Sequence, residues 1–135
     1  MPPYHQDSVP QPRSTPVLQL QAQPADTNVQ GDMFGGWLVK QMDIAGSITA
    51  RTRAQGRIAT VAIDSMVFLR PVRVGDLMSF HTEILQTGSS SVMIQVEVWL
   101  HPVDGPTCKL TEGRFTFVAI DSQGRTRPLP RPSRD

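Results

Sequence analysis

Cysteine is nearly missing from this 135-residue chain, where Cys108 stands alone. One thiol cannot close an intrachain disulfide or build a paired-cysteine metal clip, so a reducing compartment is the simplest setting. Charge of either sign is not in excess. Thirteen basic and twelve acidic residues leave a formal charge of +1, which gives no electrostatic reason to expect nucleic acid as partner. Apolar runs such as the one ending at Trp99 fall far short of the ~20 residues a membrane helix needs. Met1 to Pro16 is mostly proline and polar residues, unlike a secretion signal. The expected location is therefore the cytoplasm, away from a membrane. The sequence also lacks a GxSxG elbow, a P-loop, a GxGxxG turn and an HExxH pair. His5, His81 and His101 are scattered with no acidic residue at ligand spacing, so no metal is expected.

What remains is enough for one core, with 39% hydrophobic and 19% charged residues. Eight of the twelve prolines fall in Met1 to Pro16 or Pro128 to Asp135, regions poor in backbone donors and in core-forming side chains. Residues 1–16 are read as a disordered proline-rich tail, 17–121 as the folded domain and 122–135 as an Arg/Pro-rich tail. Arg125, Arg127, Arg131 and Arg134 in that last segment could touch an anionic ligand, although a solvated tail is the plainer expectation.

Val17 to Gln23 alternates like a short strand, and PADTNVQGD follows as an irregular loop. Phe34, Leu38, Met42, Ala45 and Ile48 then recur at helical spacing behind Asp32, a candidate N-cap. The spacing predicts a helix over Phe34 to Arg53, a rod of roughly 30 Å at about 1.5 Å per residue. Four β-rich segments complete the chain: Ile58 to Leu69, Leu77 to Gln86, Val92 to Leu100 and Lys109 to Ile120. Short connections suggest an antiparallel four-stranded meander. A helix apolar over much of its circumference needs a sheet curled around it, which is the hotdog arrangement: an α+β fold with one long central helix and five to six antiparallel strands. Val92, Ile94, Val96 and Val98 should face the helix; Met93, Gln95, Glu97 and Trp99 make a mixed outer face suited to another subunit.

The helix also carries the candidate chemistry. Lys40, Asp43, Ser47 and Arg51 share a polar stripe, where Asp43 is either a solvent-facing partner of Lys40 or a working carboxylate. Gly35 and Gly36 are poor helix formers, each costing about 1 kcal/mol against alanine. Their place in the first turn either permits close packing or lets a ligand carbonyl reach unsatisfied backbone N–H groups at the positive end of the helix. Gly46, deeper in the helix, suits close packing. Asn28, in the preceding loop, can hold a water or a carbonyl, or simply form a turn. Gly35 and Asp43 lie eight residues apart, about 12 Å along the axis, so one carbonyl cannot meet both. An antiparallel helix from a second subunit would bring Asp43 of one chain to Gly35 of the other and make dimerisation a condition of activity.

The run PADTNVQGDMFGGWLVKQMDIAG, then VFLRPVRVGD and SSSVMIQVEVW, resembles the bacterial acyl-CoA thioester hydrolases of the YciA type in the hotdog superfamily, over about Leu18 to Pro130. The resemblance implies hydrolysis of short- to medium-chain acyl-CoA to free acid and coenzyme A, without a cofactor beyond the coenzyme A of substrate and product. By position, Asp43 matches the family's catalytic carboxylate, Asn28 its active-site amide and Gly35 the backbone donor, with Asp43 supplied by the opposite subunit. Arg70, Ser90 and Ser91 are the residues expected to bind coenzyme A. A homo-oligomer follows, a dimer at minimum and a trimer of dimers by resemblance. A non-catalytic acyl-CoA sensor on the same fold is the alternative. A hotdog dehydratase ranks below both, because Phe34 to Gly36 offers no histidine.

Overall fold

The computed structural model describes residues 11–30 and 35–132. Asp32 and Phe34, expected at the helix entry, lie outside the described residues, as do His5 and Arg134. The elements run β1 (Leu18–Gln21), a short 3-10 turn (Pro24–Asp26), α1 (Gly35–Ala54), β2 (Ile58–Phe68), β3 (Leu77–Thr87), β4 (Ser91–His101) and β5 (Cys108–Ala119). Each expected segment is present, with ends shifted by no more than two residues.

The strand order corrects one expectation. The sheet reads β1-β3-β4-β5-β2 and is antiparallel throughout, so only β3, β4 and β5 form a meander; β2 pairs with β5, and β1 pairs with β3. The connection between Phe68 and Leu77 must cross three strand spacings, roughly 14 Å. Eight residues reach roughly 26 Å when extended, so a connection that looks like a hairpin turn is long enough to cross the sheet. Pro71 favours that extended path. With β1 and β2 at its two edges, the sheet is open.

Helix α1 packs on one face of the sheet and touches β4, β3, β2 and β5. Val92, Ile94, Val96 and Val98 are all fully buried, with Phe80, Met78, Phe115, Phe117 and Leu110 beside them. The helix meets them through Leu38, Met42, Ala45, Gly46, Ala50 and Ala54. This face is narrower and made of smaller side chains than expected. Ile48 is 42% exposed, because the alanines at 45, 50 and 54 take the close approach instead. Small residues let the rod lie deep in the curve of the sheet.

The outer face also differs from expectation. Trp99 is only 6% exposed within one chain, so no partner is needed to cover it. Its indole N–H donates to Glu97 at 3.0 Å, and Lys109, its register partner on β5, bridges Glu97 and Glu112. The C-terminal residues fold back rather than extend into solvent. Leu129 packs against the core and its N–H donates to Ser89 at 2.8 Å, while the Arg53 guanidinium donates to the Pro130 carbonyl at 2.7 Å.

Beside Trp99, Ser79 and His81 are buried on β3. The Ser79 hydroxyl lies 2.8 Å from His81 Nε2 and 2.7 Å from His101 Nε2, so one hydroxyl joins two imidazoles. Burial lowers the His81 pKa below its ordinary 6.5, and nearby His101 adds to the shift; a hydrogen bond with Ser14 and the charge of Glu97 oppose it. A histidine kept neutral by folding is protonated first in the unfolded chain. Its contribution is therefore complete above about pH 6.5 and declines as acid favours the unfolded state. Urea unfolding should show stability falling from pH 7 to pH 5.5, with a smaller fall in His81→Gln; equal falls in both would contradict this role.

Candidate active site

Asp43 sits midway along α1, half-buried on the side turned to the β2 edge. The Thr60 hydroxyl donates to Asp43 Oδ1 at 2.7 Å. No ion pair to Lys40 occurs among the described residues, so the structure favours a carboxylate held from the sheet over one paired along the helix. A hydrogen bond to a charged oxygen is shorter and stronger than a neutral one, and here it fixes the direction of one lone pair. The other oxygen has no such tie from Thr60. The sequence reading missed Thr60. Its signal was faint: a threonine one turn of strand beyond the helix exit is common for β propensity alone.

Gly35 and Gly36 open the helix, and both are exposed. A Cβ built on either meets no atom of the described residues within 4 Å. Gly46 is the opposite case. There a Cβ would come within 2.9 Å of Phe117 Cζ and 3.3 Å of Val96 Cγ2, both on buried side chains. The helix thus holds one glycine where packing demands it and two where this chain's own packing does not. Asn28, half-buried in the loop ahead, accepts the Gln30 N–H at 2.9 Å through Oδ1, an Asx-type turn. That bond orients the amide.

The remaining site candidates are dispersed. Arg70 is exposed just beyond β2, at the sheet end where Phe68 pairs with Thr111. Ser90 and Ser91 lie at the other end, where Ser91 pairs with Val118 and the Ser90 carbonyl accepts Ala119 N–H at 2.8 Å. The seven residues from Ser91 to Val98, itself opposite Thr111, separate those ends by roughly 23 Å. One chain does not gather Arg70 and the serines around a single phosphate. Nor does it bring Asp43 to Gly35, because a straight helix keeps them about 12 Å apart.

The chemistry on offer is a fixed carboxylate, an exposed helix start at Gly35 and Gly36, and an oriented amide. Comparison with known proteins decides how to read it. Residues 30–104 match the family profile described as the Thioesterase superfamily. The chain belongs to the thioesterase superfamily. It is 47% identical over 123 residues to the Escherichia coli protein named acyl-CoA thioester hydrolase YciA, covering 88% of this chain and 93% of that one. The crystal structure of the hexameric thioesterase y2039 from Yersinia pestis is 48% identical and superposes with a TM-score of 0.87, covering 90% of this chain and all of that one. A structure described as a hexameric broad specificity acyl-coenzyme A thioesterase is 41% identical, with a TM-score of 0.86 over 95% of this chain and 89% of its own. The hotdog fold expected for the thioesterase superfamily is the fold observed.

The two kinds of glycine predict opposite outcomes. Gly46→Ala should destabilise the protein by about 1–3 kcal/mol through overpacking against Phe117, despite the better helix propensity of alanine. Gly35→Ala should leave the melting temperature unchanged or slightly raised. A comparable loss in both would mean that Gly35 also serves packing.

Proposed function

We propose that this protein hydrolyses acyl-CoA thioesters to a free carboxylic acid and coenzyme A, at sites each built from two chains. The observation that carries this reading is the Asp43 carboxylate, held by Thr60 midway along a helix whose first turn presents Gly35 to open space among the described residues. The family relationship supports the reaction class. Relatives named as acyl-CoA thioester hydrolases and described as broad in specificity support short- to medium-chain acyl-CoA as substrates.

The thioester carbonyl oxygen sits against the Gly35 N–H, where the backbone donor and the positive helix end stabilise the negative charge that develops on it. Asp43 of the partner chain takes a proton from a water placed on the carbonyl carbon, and Asn28 orients that water or the thioester. The tetrahedral adduct then expels sulfur with the C–S bonding pair. An ordinary thiol has a pKa near 8.5, so the thiolate leaves without a strong acid beside it and takes the proton that Asp43 accepted from water, which restores the carboxylate. Direct attack by Asp43 on the carbonyl carbon would instead expel the thiolate to leave a mixed anhydride, which water then cleaves to the free acid and the Asp43 carboxylate. Thr60 is a positioning residue that aims Asp43. Neither route uses a metal or a further cofactor.

The edge that carries Thr60 supports the two-chain assembly. Val61, Ile63, Val67 and Phe68 of β2 are 42–56% exposed, and among the described residues the strand has no partner on its outer side. An exposed apolar edge invites pairing, and a twofold partner there lies next to Asp43. The Yersinia pestis relative is described as hexameric, which supports a trimer of dimers here. In such an assembly Arg70 and Ser90 or Ser91 can come from different chains to bind one coenzyme A. The single cysteine and the substrate class fit a cytoplasmic enzyme.

Thiol release from a panel of acyl-CoA substrates tests the proposal. Asp43→Asn should lower turnover by roughly 10²- to 10⁴-fold with the fold intact. Thr60→Val should lower it about tenfold, and Thr60→Ser should restore most of that loss, since the hydroxyl rather than the methyl is at work. Full activity in Asp43→Asn would overturn the assignment, and binding without turnover by the wild type would make the chain an acyl-CoA-binding module instead.

A further inference from the structure

On the side of α1 away from Asp43 lies a groove of about 470 Å³, bounded by Val17, Ile48, Thr52, Ile84, Arg53 and Arg131, with Thr49 and Pro132 also in its wall. Asp43 reaches β2 through Thr60, whereas Thr49 reaches β3 through Thr82, with the two hydroxyls 2.5 Å apart; β2 and β3 are three strands apart in the sheet. The groove is thus separate from the carboxylate.

Its chemistry is two-sided. Ile48 and Ile84 are 42% and 39% exposed there, so both present apolar surface to the groove. The hydroxyls in the wall are already engaged, Thr49 with Thr82 and Thr52 with the Ile48 carbonyl, so besides the two arginines the Gln55 amide is the polar side chain left in a wall otherwise made of hydrocarbon. At the rim stand two guanidinium groups. Arg53 donates to the Pro130 carbonyl, which fixes its position without neutralising its charge. Among the described residues, neither Arg53 nor Arg131 forms an ion pair and no acidic side chain lines the groove. The C-terminal segment creates this juxtaposition, since its docking onto Ser89 and Arg53 carries Arg131 to the helix end.

We infer that this groove is a second ligand site, which binds an alkyl carboxylate with its chain along Ile48 and Ile84 and its head between Arg53 and Arg131. An apolar wall with two cations that form no ion pair among the described residues calls for a ligand that has both an apolar tail and an anionic head. The volume lies within the roughly 300–1,000 Å³ usual for small-molecule sites and is too small for a folded partner. A nucleotide fits less well, because among the described residues no aromatic side chain lines the groove to stack a base. Binding here does not depend on the proposed reaction. If that reaction holds, the acid it releases becomes a ligand for a site other than the one that forms it.

Isothermal titration of the full chain with decanoate, below its micelle concentration, tests the site. Decanoate should saturate at one molecule per chain, and decanol and acetate should each bind at least about tenfold more weakly, because each lacks one half of the match. Arg131→Gln should weaken decanoate by about tenfold, as loss of one charge-assisted contact requires. Ile84→Ser should weaken it too, and both changes fall on exposed side chains that leave the fold intact. Asp43→Asn should bind decanoate as the wild type does. Equal binding of decanol, unchanged affinity in Arg131→Gln, loss of binding in Asp43→Asn, or displacement of decanoate by adenosine 3′,5′-bisphosphate would each overturn the proposal.

Discussion

A rigid helix keeps its own residues apart. Gly35 and Asp43 are separated by eight positions of one continuous α1, and no side-chain rotation closes a gap of about 12 Å between a backbone N–H and a carboxylate on the same rod. A reaction that needs both at one carbonyl must take them from two rods. That constraint gives meaning to features that look like defects in a single chain: an open sheet, an apolar β2 edge and an uncovered helix start.

The interior is arranged to hold that rod still. Alanines at 45, 50 and 54 and Gly46 let α1 sink onto the valines and isoleucine of β4, so close that Phe117 touches the glycine backbone region. The same depth brings Asp43 to the Thr60 hydroxyl, a contact that a helix held off by larger side chains would lose. Packing and positioning are thus one arrangement. The opposite flank pays for it with exposed isoleucines, left where the helix turns away from the sheet.

Much of this was legible in the residues. The alternation of Val92 to Val98 and the helical spacing from Leu38 to Ala45 gave the layers, and the placing of Asp43 and the glycine pair gave the site candidates. Strand order was not legible, because connection length bounds what a chain can span without saying where it goes; eight residues after Phe68 suffice for a turn or a crossing. Ile48 and Trp99 were misplaced for a related reason. Periodicity ranks faces by hydrophobicity, whereas burial depends on which side chains are small enough for close approach, as at Ala50, and on neighbours such as Lys109 that cover a ring. Thr60 escaped notice because its contact with Asp43 spans two elements and leaves no spacing in the sequence.

Mixing two inactive forms tests the shared site most directly. Asp43→Asn and Asn28→Ala chains, unfolded together and refolded, form paired molecules in which one of the two sites receives both intact residues. The account predicts that thioester hydrolysis returns to about a quarter of the wild-type rate in the equimolar mixture, from random pairing about a twofold axis. A mixture as inactive as its two components would mean that Asp43 and Asn28 serve one site within a single chain, and the two-rod account would fail.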